Sequence, residues 1–179
     1  VARGLRTPLL IADMPFMSYR DVPVAMDSAT RLLAEGGAAM VKVEGAGWVV
    51  DVIKALAERD VPVCAHLGLT PQSVHKLGGY RVQGKLEAQA QQLLEDAHAV
   101  SNAGADLLVL ECVPAELATR ITREVPIPTI GIGAGVDCHG QVLVLHDMLG
   151  VYPGRKAKFV RNFMDGAASI DDAVKAYVK

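Results

Sequence analysis

Hydrophobic residues in this chain form short continuous runs, and amphipathic stretches separate one run from the next. Six runs are rich in Val, Ile and Leu without polar alternation, which is typical of parallel β-strands covered on both faces. The predicted strands are residues 9–14, 40–45, 62–68, 107–113, 128–133 and 141–146. The last run could instead begin a helix, because only about seven residues separate Gly133 from Gln141, too few for a normal crossover helix.

The amphipathic stretches predict the helices. Apolar residues recur at helical spacing over residues 24–35, 48–59 and 86–103. The glycine pair at residues 36–37 and Gly104 follow two of these stretches, where a helix commonly ends in a left-handed residue. A Thr-Pro pair at residues 70–71 predicts an N-cap with proline at the first helical position. A short helix is therefore expected over residues 71–76.

Alternating strands and helices predict an α/β fold with a parallel sheet, and nothing in the composition divides residues 1–179 into more than a single domain. A TIM-type (β/α)8 barrel has eight strands in about 250 residues, whereas an open doubly wound sheet needs only six. No glycine-rich nucleotide turn follows the first strand, and the chain begins with Val1. We therefore expect a (β/α)8 barrel from which about the first two strands are absent.

Composition narrows the class of partner. The net charge is −2, which gives no basic field for nucleic acid or an acidic membrane surface. No apolar stretch has the length of a membrane span, and no signal peptide is apparent. Cys64, Cys112 and Cys138 are odd in number and widely spaced, so they indicate free thiols and a cytoplasmic location.

Ionisable residues stand at the ends of four predicted strands, where parallel α/β proteins place their active sites. Asp13 and Glu44 are hard oxygen ligands suited to Mg²⁺. Lys42 lies two residues before Glu44 and so shares its face, where it could bind an anionic substrate. Glu111 suits a general base because it would be partly desolvated, and His66 could hydrogen-bond the substrate or that base.

Each of these residues also has a plainer interpretation. A charged residue at a strand end is usually solvated, and Lys42 could simply form an ion pair. A single histidine beside an apolar run is more often structural. The glycine-rich segment at residues 131–135 resembles a phosphate-binding loop, but it contains no Lys or Arg and could equally permit close backbone approach. The joint pattern at one sheet edge favours a catalytic site.

The segments that carry these residues resemble the ketopantoate hydroxymethyltransferase family. The resemblance runs in order from about residue 8 to 165, and its most specific strings are HLGLTPQS and GGYRVQG. The similar segments are LIADMPFMSY (10–19), VKVEG (41–45), VCAHLGLTPQS (63–73), GGYRVQG (78–84), LVLECVP (108–114) and IGIGAG (130–135).

The resemblance implies a barrel enzyme that transfers a hydroxymethyl group from 5,10-methylenetetrahydrofolate to 3-methyl-2-oxobutanoate, giving 2-dehydropantoate for pantothenate biosynthesis. By the same resemblance, Asp13 binds both metal and substrate, Glu44 binds Mg²⁺, and Lys42 binds the substrate. Glu111 is implied as the proton acceptor and His66 as an active-site histidine. The family also implies a large homo-oligomer, typically a decamer.

This chain departs from the family pattern in two ways. Family members begin further upstream, with two more strands and an Asp-Ser pair that contributes to the metal site, and Ala46 stands where glycine is common. Two rival interpretations follow. One is a Mg-dependent α-keto-acid lyase or mutase of the phosphoenolpyruvate mutase type, and the other is an inactive barrel fragment with an incomplete metal site.

Overall fold

The computed structural model describes residues 1–154 and 156–179. The chain divides into two compact parts, Val1–Gly140 and Gln141–Lys179. The first part contains the strands and helices that position the predicted site. The prediction that all 179 residues form a single domain stays a prediction.

A curled six-stranded sheet forms a half-barrel. Its strands are β1 (Ile11–Asp13), β2 (Met40–Glu44), β3 (Val63–Gly68), β4 (Leu107–Glu111), β5 (Thr129–Ile132) and β6 (Gly140–Gln141). Strands β1 to β5 pair in parallel, and all six follow one another in chain order. A doubly wound sheet reverses its strand order at a switch point, so this order favours part of a TIM-type barrel. Closure by eight strands stays a prediction.

Helices follow the strands in the first part of the chain. The bounds are α1 (Val22–Thr30, continued by a π-helical turn at Arg31–Glu35), α2 (Val49–Ala57), α3 (Val74–Leu77), α4 (Glu87–Asn102) and α5 (Ala115–Glu124). The helices predicted over residues 24–35, 48–59 and 86–103 are confirmed as α1 with its π turn, α2 and α4. Helix α5 was missed, although its buried Leu117, Ala118 and Ile121 lie at helical spacing.

The predicted helix ends are largely confirmed. Gly37 and Gly104 adopt positive φ angles of 70° and 101°, as left-handed termini require. The short helix predicted at residues 71–76 begins as a 3-10 turn, Pro71–Ser73, before α3. Thr70 occupies the N-cap position, but its side chain makes no capping hydrogen bond. Proline at the first helical position therefore starts this helix without side-chain capping.

The second part of the chain contains two short helices, α6 (Leu145–Met148) and α7 (Ile170–Val178). The run at residues 141–146, whose sequence allows either a strand or the start of a helix, divides between the two. Only Gln141 belongs to a strand, and α6 begins at Leu145. Helix α7 was not predicted; Ser169 caps it by accepting a hydrogen bond from the Asp172 N–H at 3.1 Å.

The two faces of the sheet have different partners. On the outer face, strand residues such as Val41, Val63 and Leu108 pack with helical residues such as Ile53 and Leu56 in the main core. On the inner face, four buried side chains form a separate cluster, which we call the apolar layer: Met40, Cys64, Val109 and Ile132. Because side chains alternate along a strand, residues two positions further on face the same interior. Those residues form the candidate site.

None of the helices in the described part of the chain combines the length and the apolar character needed to cross a bilayer.

Candidate functional site

Five ionisable side chains lie together at the carboxyl edge of the sheet. We call them the polar layer: Asp13, Lys42, Glu44, His66 and Glu111. Parallel pairing brings them into register, because Asp13 lies beside Lys42 and Glu44 lies beside His66. Glu111 lies beside Gly68, which follows His66 by two residues. The structure therefore brings together every site residue that the sequence singled out.

Lys42 lies at the centre of this layer. Its ammonium forms an ion pair with Asp13 Oδ1 and lies 3.7 Å from Glu44 Oε1. It also lies 3.2 Å from His66 Nδ1. Asp13 remains 65% exposed, whereas Glu44 is only 6% exposed. One cation thus neutralises part of the charge of two carboxylates, one solvated and the other buried.

His66 lies between Lys42 and Glu111. An ammonium can only donate, so Nδ1 accepts from Lys42 and the neutral ring carries its hydrogen on Nε2. Nε2 is buried and lies 3.3 Å from Glu111 Oε2, yet among the described residues it has no partner in hydrogen-bond geometry. A buried donor without a partner is costly. The ring therefore has a donor available for a bound ligand or for a small shift of Glu111.

Glu111 ends β4 in a constrained backbone. Cys112, the next residue, has a φ of 49°, an uncommon conformation for a residue other than glycine. Gly68 has a φ of 91°, and a Cβ built on it would lie 2.3 Å from the Glu111 carbonyl oxygen. Only glycine permits this approach of β3 to the end of β4, so Gly68 helps to define where Glu111 stands.

The polar layer has more acidic than basic groups. Asp13, Glu44 and Glu111 are opposed by the single ammonium of Lys42, and three like charges in a partly buried space repel one another. Such an arrangement favours binding of a further cation. In the part of the chain that the structure describes, no group of three or more His, Cys, Asp or Glu residues could hold a metal ion. The layer thus offers carboxylate oxygens rather than a complete ligand cage.

Two residues of the site were missed by sequence reasoning. The backbone N–H of Gln72 donates to Glu44 Oε2 at 2.9 Å, and the Tyr19 hydroxyl donates to Gln72 Oε1 at 2.7 Å. Burial and the nearby charges of Glu44 and Asp13 raise the pKa of Tyr19 to about 12, so its phenol is neutral near pH 7. Gln72 lies within HLGLTPQS, but no spacing rule predicted these contacts.

The cysteines and the glycine-rich segment are not brought into the site as ligands. All three cysteines are free, as predicted; Cys64 and Cys138 are buried, and Cys112 is partly buried. Gly135 has a φ of 84°, and a Cβ there would lie 2.6 Å from the Ala115 Cβ. This close contact with the start of α5 supports the packing interpretation of the glycine-rich segment.

Comparison with known proteins places this geometry in context. The family model for ketopantoate hydroxymethyltransferase matches residues 1–179. The 3-methyl-2-oxobutanoate hydroxymethyltransferase of Cupriavidus taiwanensis is 59% identical over 177 residues, covering 99% of this chain and 64% of that protein. The enzyme of the same name from Azoarcus sp. is 61% identical over 180 residues, covering 99% and 66%. The chain thus spans 64–66% of the length of these relatives.

A solved structure of lower sequence identity shows the same fold. A predicted lyase/mutase from Burkholderia cenocepacia J2315 superposes with a TM-score of 0.54 and 19% identity, covering 94% of this chain and 69% of that one. The fold and the polar layer define a parallel α/β half-barrel with a charged site at the carboxyl edge of its strands. Within that class, the chain belongs to the ketopantoate hydroxymethyltransferase family.

Proposed function

We propose that the whole protein transfers a hydroxymethyl group from 5,10-methylenetetrahydrofolate to 3-methyl-2-oxobutanoate, giving 2-dehydropantoate in pantothenate biosynthesis. One observation carries the proposal: the Lys42 ammonium lies among the side chains of Asp13, Glu44 and His66. An anionic keto acid needs a cation to bind it and a base beside its reacting carbon. The polar layer has both, and family membership supports the assignment.

The residues present fit a magnesium site. Asp13 Oδ1 and Glu44 Oε1 both approach the Lys42 ammonium, so both carboxylates face the same small volume. Mg²⁺ usually takes only one or two protein carboxylates and completes its shell with water and substrate oxygens. Asp13 and Glu44 would hold the ion. When bound, it would supply Lewis-acid polarisation of the keto oxygen, which acidifies the neighbouring C3–H.

The side chains of the chain itself then have distinct roles. Asp13 and Lys42 would contact the substrate, and Lys42 would neutralise negative charge that develops as C3 loses its proton. Glu111 would accept that proton. His66 would use its Nε2 hydrogen to orient Glu111 or a substrate oxygen, because Lys42 already occupies Nδ1. The C3 carbanion then attacks the methylene carbon of the folate in its iminium form, in which the bond to N10 is already broken. Water replaces N5 at that carbon, so the remaining C–N bond breaks, the water oxygen becomes the hydroxyl of the product, and tetrahydrofolate leaves.

The role of Glu111 can be tested by proton exchange in the absence of folate. The full-length protein with Glu111→Gln should lose exchange of the substrate C3–H into deuterated water by about 10²–10⁴-fold, as expected for loss of a general base. Binding of the keto acid, measured by calorimetry, should stay nearly unchanged, because the amide has the size of the carboxyl group. Retained exchange would reject this role for Glu111.

The rival lyase or mutase is separated by the requirement for folate. Product formation that needs 5,10-methylenetetrahydrofolate supports the transferase, whereas conversion of an α-keto acid without any one-carbon donor supports the rival. The structural likeness to a lyase/mutase at 19% identity concerns the fold alone and does not favour its chemistry. A cytoplasmic location and assembly into a homo-oligomer such as a decamer also belong to this proposal, supported by the free cysteines and by the family.

A further inference from the structure

Gln72 connects three separate segments behind the polar layer. It lies in the 3-10 turn Pro71–Ser73 that follows β3. Its backbone N–H donates to Glu44 Oε2 at 2.9 Å, and its Nε2 donates to the carbonyl oxygen of Met14 at 2.9 Å. Its Oε1 accepts from the Tyr19 hydroxyl at 2.7 Å. The hydrogen-bonding groups of one residue thus reach the ends of β1 and β2 together.

Tyr19 closes this network. Its hydroxyl oxygen accepts a long hydrogen bond, 3.4 Å, from the backbone N–H of Glu44 while it donates to Gln72. Its ring is buried and stacks on Trp48 with the ring centroids 5.9 Å apart. The hydroxyl therefore has a fixed position, because the ring that carries it cannot move freely. Gln72 and Tyr19 form what we call the Gln72–Tyr19 pair.

The network acts on both candidate metal ligands. The hydrogen bond to Glu44 Oε2 fixes the rotation of that carboxylate and leaves Oε1 facing Lys42. Met14, whose carbonyl Gln72 holds, directly follows Asp13, and the Met14 N–H donates to the Lys42 carbonyl at 2.9 Å. The Asp13 side chain is mostly exposed, so packing does not hold it. Its carboxylate is therefore restrained by the ion pair with Lys42 and by the position of its backbone.

We propose that the Gln72–Tyr19 pair is a positioning unit that sets the separation and orientation of the Asp13 and Glu44 carboxylates, and through them the affinity of the site for a divalent cation. The proposal rests on the magnesium site of the proposed function. Neither residue is a ligand. Groups that hydrogen-bond to metal ligands hold them in binding geometry, and their loss typically weakens metal affinity about 10–100-fold.

The test measures cation binding to the full-length, substrate-free protein by calorimetry, with Mg²⁺ and Mn²⁺ as the probes. Gln72→Met keeps the backbone N–H and the side-chain length but removes both side-chain hydrogen bonds, and its Kd should rise about 10–100-fold. Tyr19→Phe keeps the stacking on Trp48 and should raise the Kd less. The two changes should not add in the double variant, because they share one hydrogen bond.

Gln91→Met is the matched control. Gln91 is an exposed residue of α4 whose side chain donates to Glu95 one turn away, so the Kd should not change. A lower Tm with an unchanged Kd in both Gln72→Met and Tyr19→Phe would show a purely structural role and overturn the proposal. If Gln72→Met fails to fold, Tyr19→Phe alone decides. A wild-type protein that binds neither cation refutes the magnesium site itself, which distinguishes that failure from failure of the Gln72–Tyr19 pair.

Discussion

The inner face of the half-barrel contains two layers of side chains, and one layer lies two residues further along the strands than the other. Lys42, His66 and Glu111 in the polar layer lie two residues beyond Met40, Cys64 and Val109 in the apolar layer, about 6.6 Å along each strand. The apolar residues are almost fully buried against one another. In the polar layer, the carboxylates of Asp13 and Glu44 lie beside the Lys42 ammonium, and a third carboxylate, that of Glu111, lies beside His66.

This difference separates stability from chemistry along the same strands. Burial of the apolar layer removes hydrocarbon from water, which is favourable at roughly 25 cal/mol per Å². The polar layer removes charges from water, and the attraction of one lysine for its neighbours need not offset that cost. Stability alone would not select such a set of side chains. Stability is therefore expected to be more sensitive to truncation of a side chain in the apolar layer than to neutralisation of an exposed carboxylate in the polar layer.

The sharpest contrast should come from one substitution in each layer. Ile132→Ala removes a buried side chain of the apolar layer and should lower the free energy of unfolding by about 2–5 kcal/mol, since a cavity remains. Asp13→Asn removes an ion pair whose carboxylate is mostly exposed, so it should change stability by about 1 kcal/mol or less. Urea unfolding of both variants measures the two values.

The order of the two effects should be reversed when Mg²⁺ binding is measured instead of stability. Asp13→Asn should weaken Mg²⁺ binding, whereas Ile132→Ala should leave it nearly unchanged while the protein remains folded. Equal losses of stability in the two variants would contradict the division into layers.

The apolar layer should also impose a pH dependence through Cys64. Burial, with a smaller effect of Asp13, raises the pKa of its thiol from 9.0 to about 12. The unfolded chain loses this proton first, so the free energy of unfolding should fall above pH 9, by about 1.4 kcal/mol per pH unit from this group. Tyr19, whose pKa is also raised, adds to the slope.

Cys64→Ala and Cys64→Ser should both reduce that alkaline slope, because neither new residue ionises. Their stabilities at pH 7 will differ from each other, but the slope above pH 9 is the relevant measurement. A slope equal to that of the wild-type protein would show that the buried thiol is not responsible.

The smallest effect should be seen at Cys112, beside the polar layer. Burial and then the negative charge of Glu111 raise the pKa of this thiol. Glu111→Gln should therefore lower the pKa, increase the thiolate fraction near pH 8, and speed alkylation of Cys112 by iodoacetamide a few-fold. Glu58→Gln, which alters a carboxylate paired with Lys54 on the surface, is the control and should leave the rate unchanged.

Much of the fold could be predicted from sequence because its signals are local. Continuous apolar runs predicted the parallel strands. Glycines that follow amphipathic stretches predicted the helix ends, and Gly37 and Gly104 do adopt positive φ angles there. The π-helical turn at Arg31–Glu35 was not predicted, because the spacing of apolar residues does not distinguish it from a continuation of the α-helix. Helix α5 was missed although its strongly charged sequence carries a buried stripe.

The members of the polar layer could also be predicted, because a charged residue that ends an apolar run is conspicuous and parallel strands end at one edge. The Gln72–Tyr19 pair could not. Its hydrogen bonds join residues 53, 28 and 58 positions apart, and neither glutamine nor tyrosine is unusual after a strand. Such contacts depend on side-chain directions in the folded chain, which no spacing pattern contains.

The alternation of side chains along β2 restricts how this family can vary. Losing one residue before Lys42 within the strand would turn both Lys42 and Glu44 toward the helices and bring hydrophobic neighbours into the reaction space. A substitution in β2 therefore changes one side chain, whereas a change of length inside the strand reverses the direction of several. Natural insertions and deletions among relatives should be confined to the loops. The alternation of inward-facing and outward-facing positions should persist even where sequence identity is low.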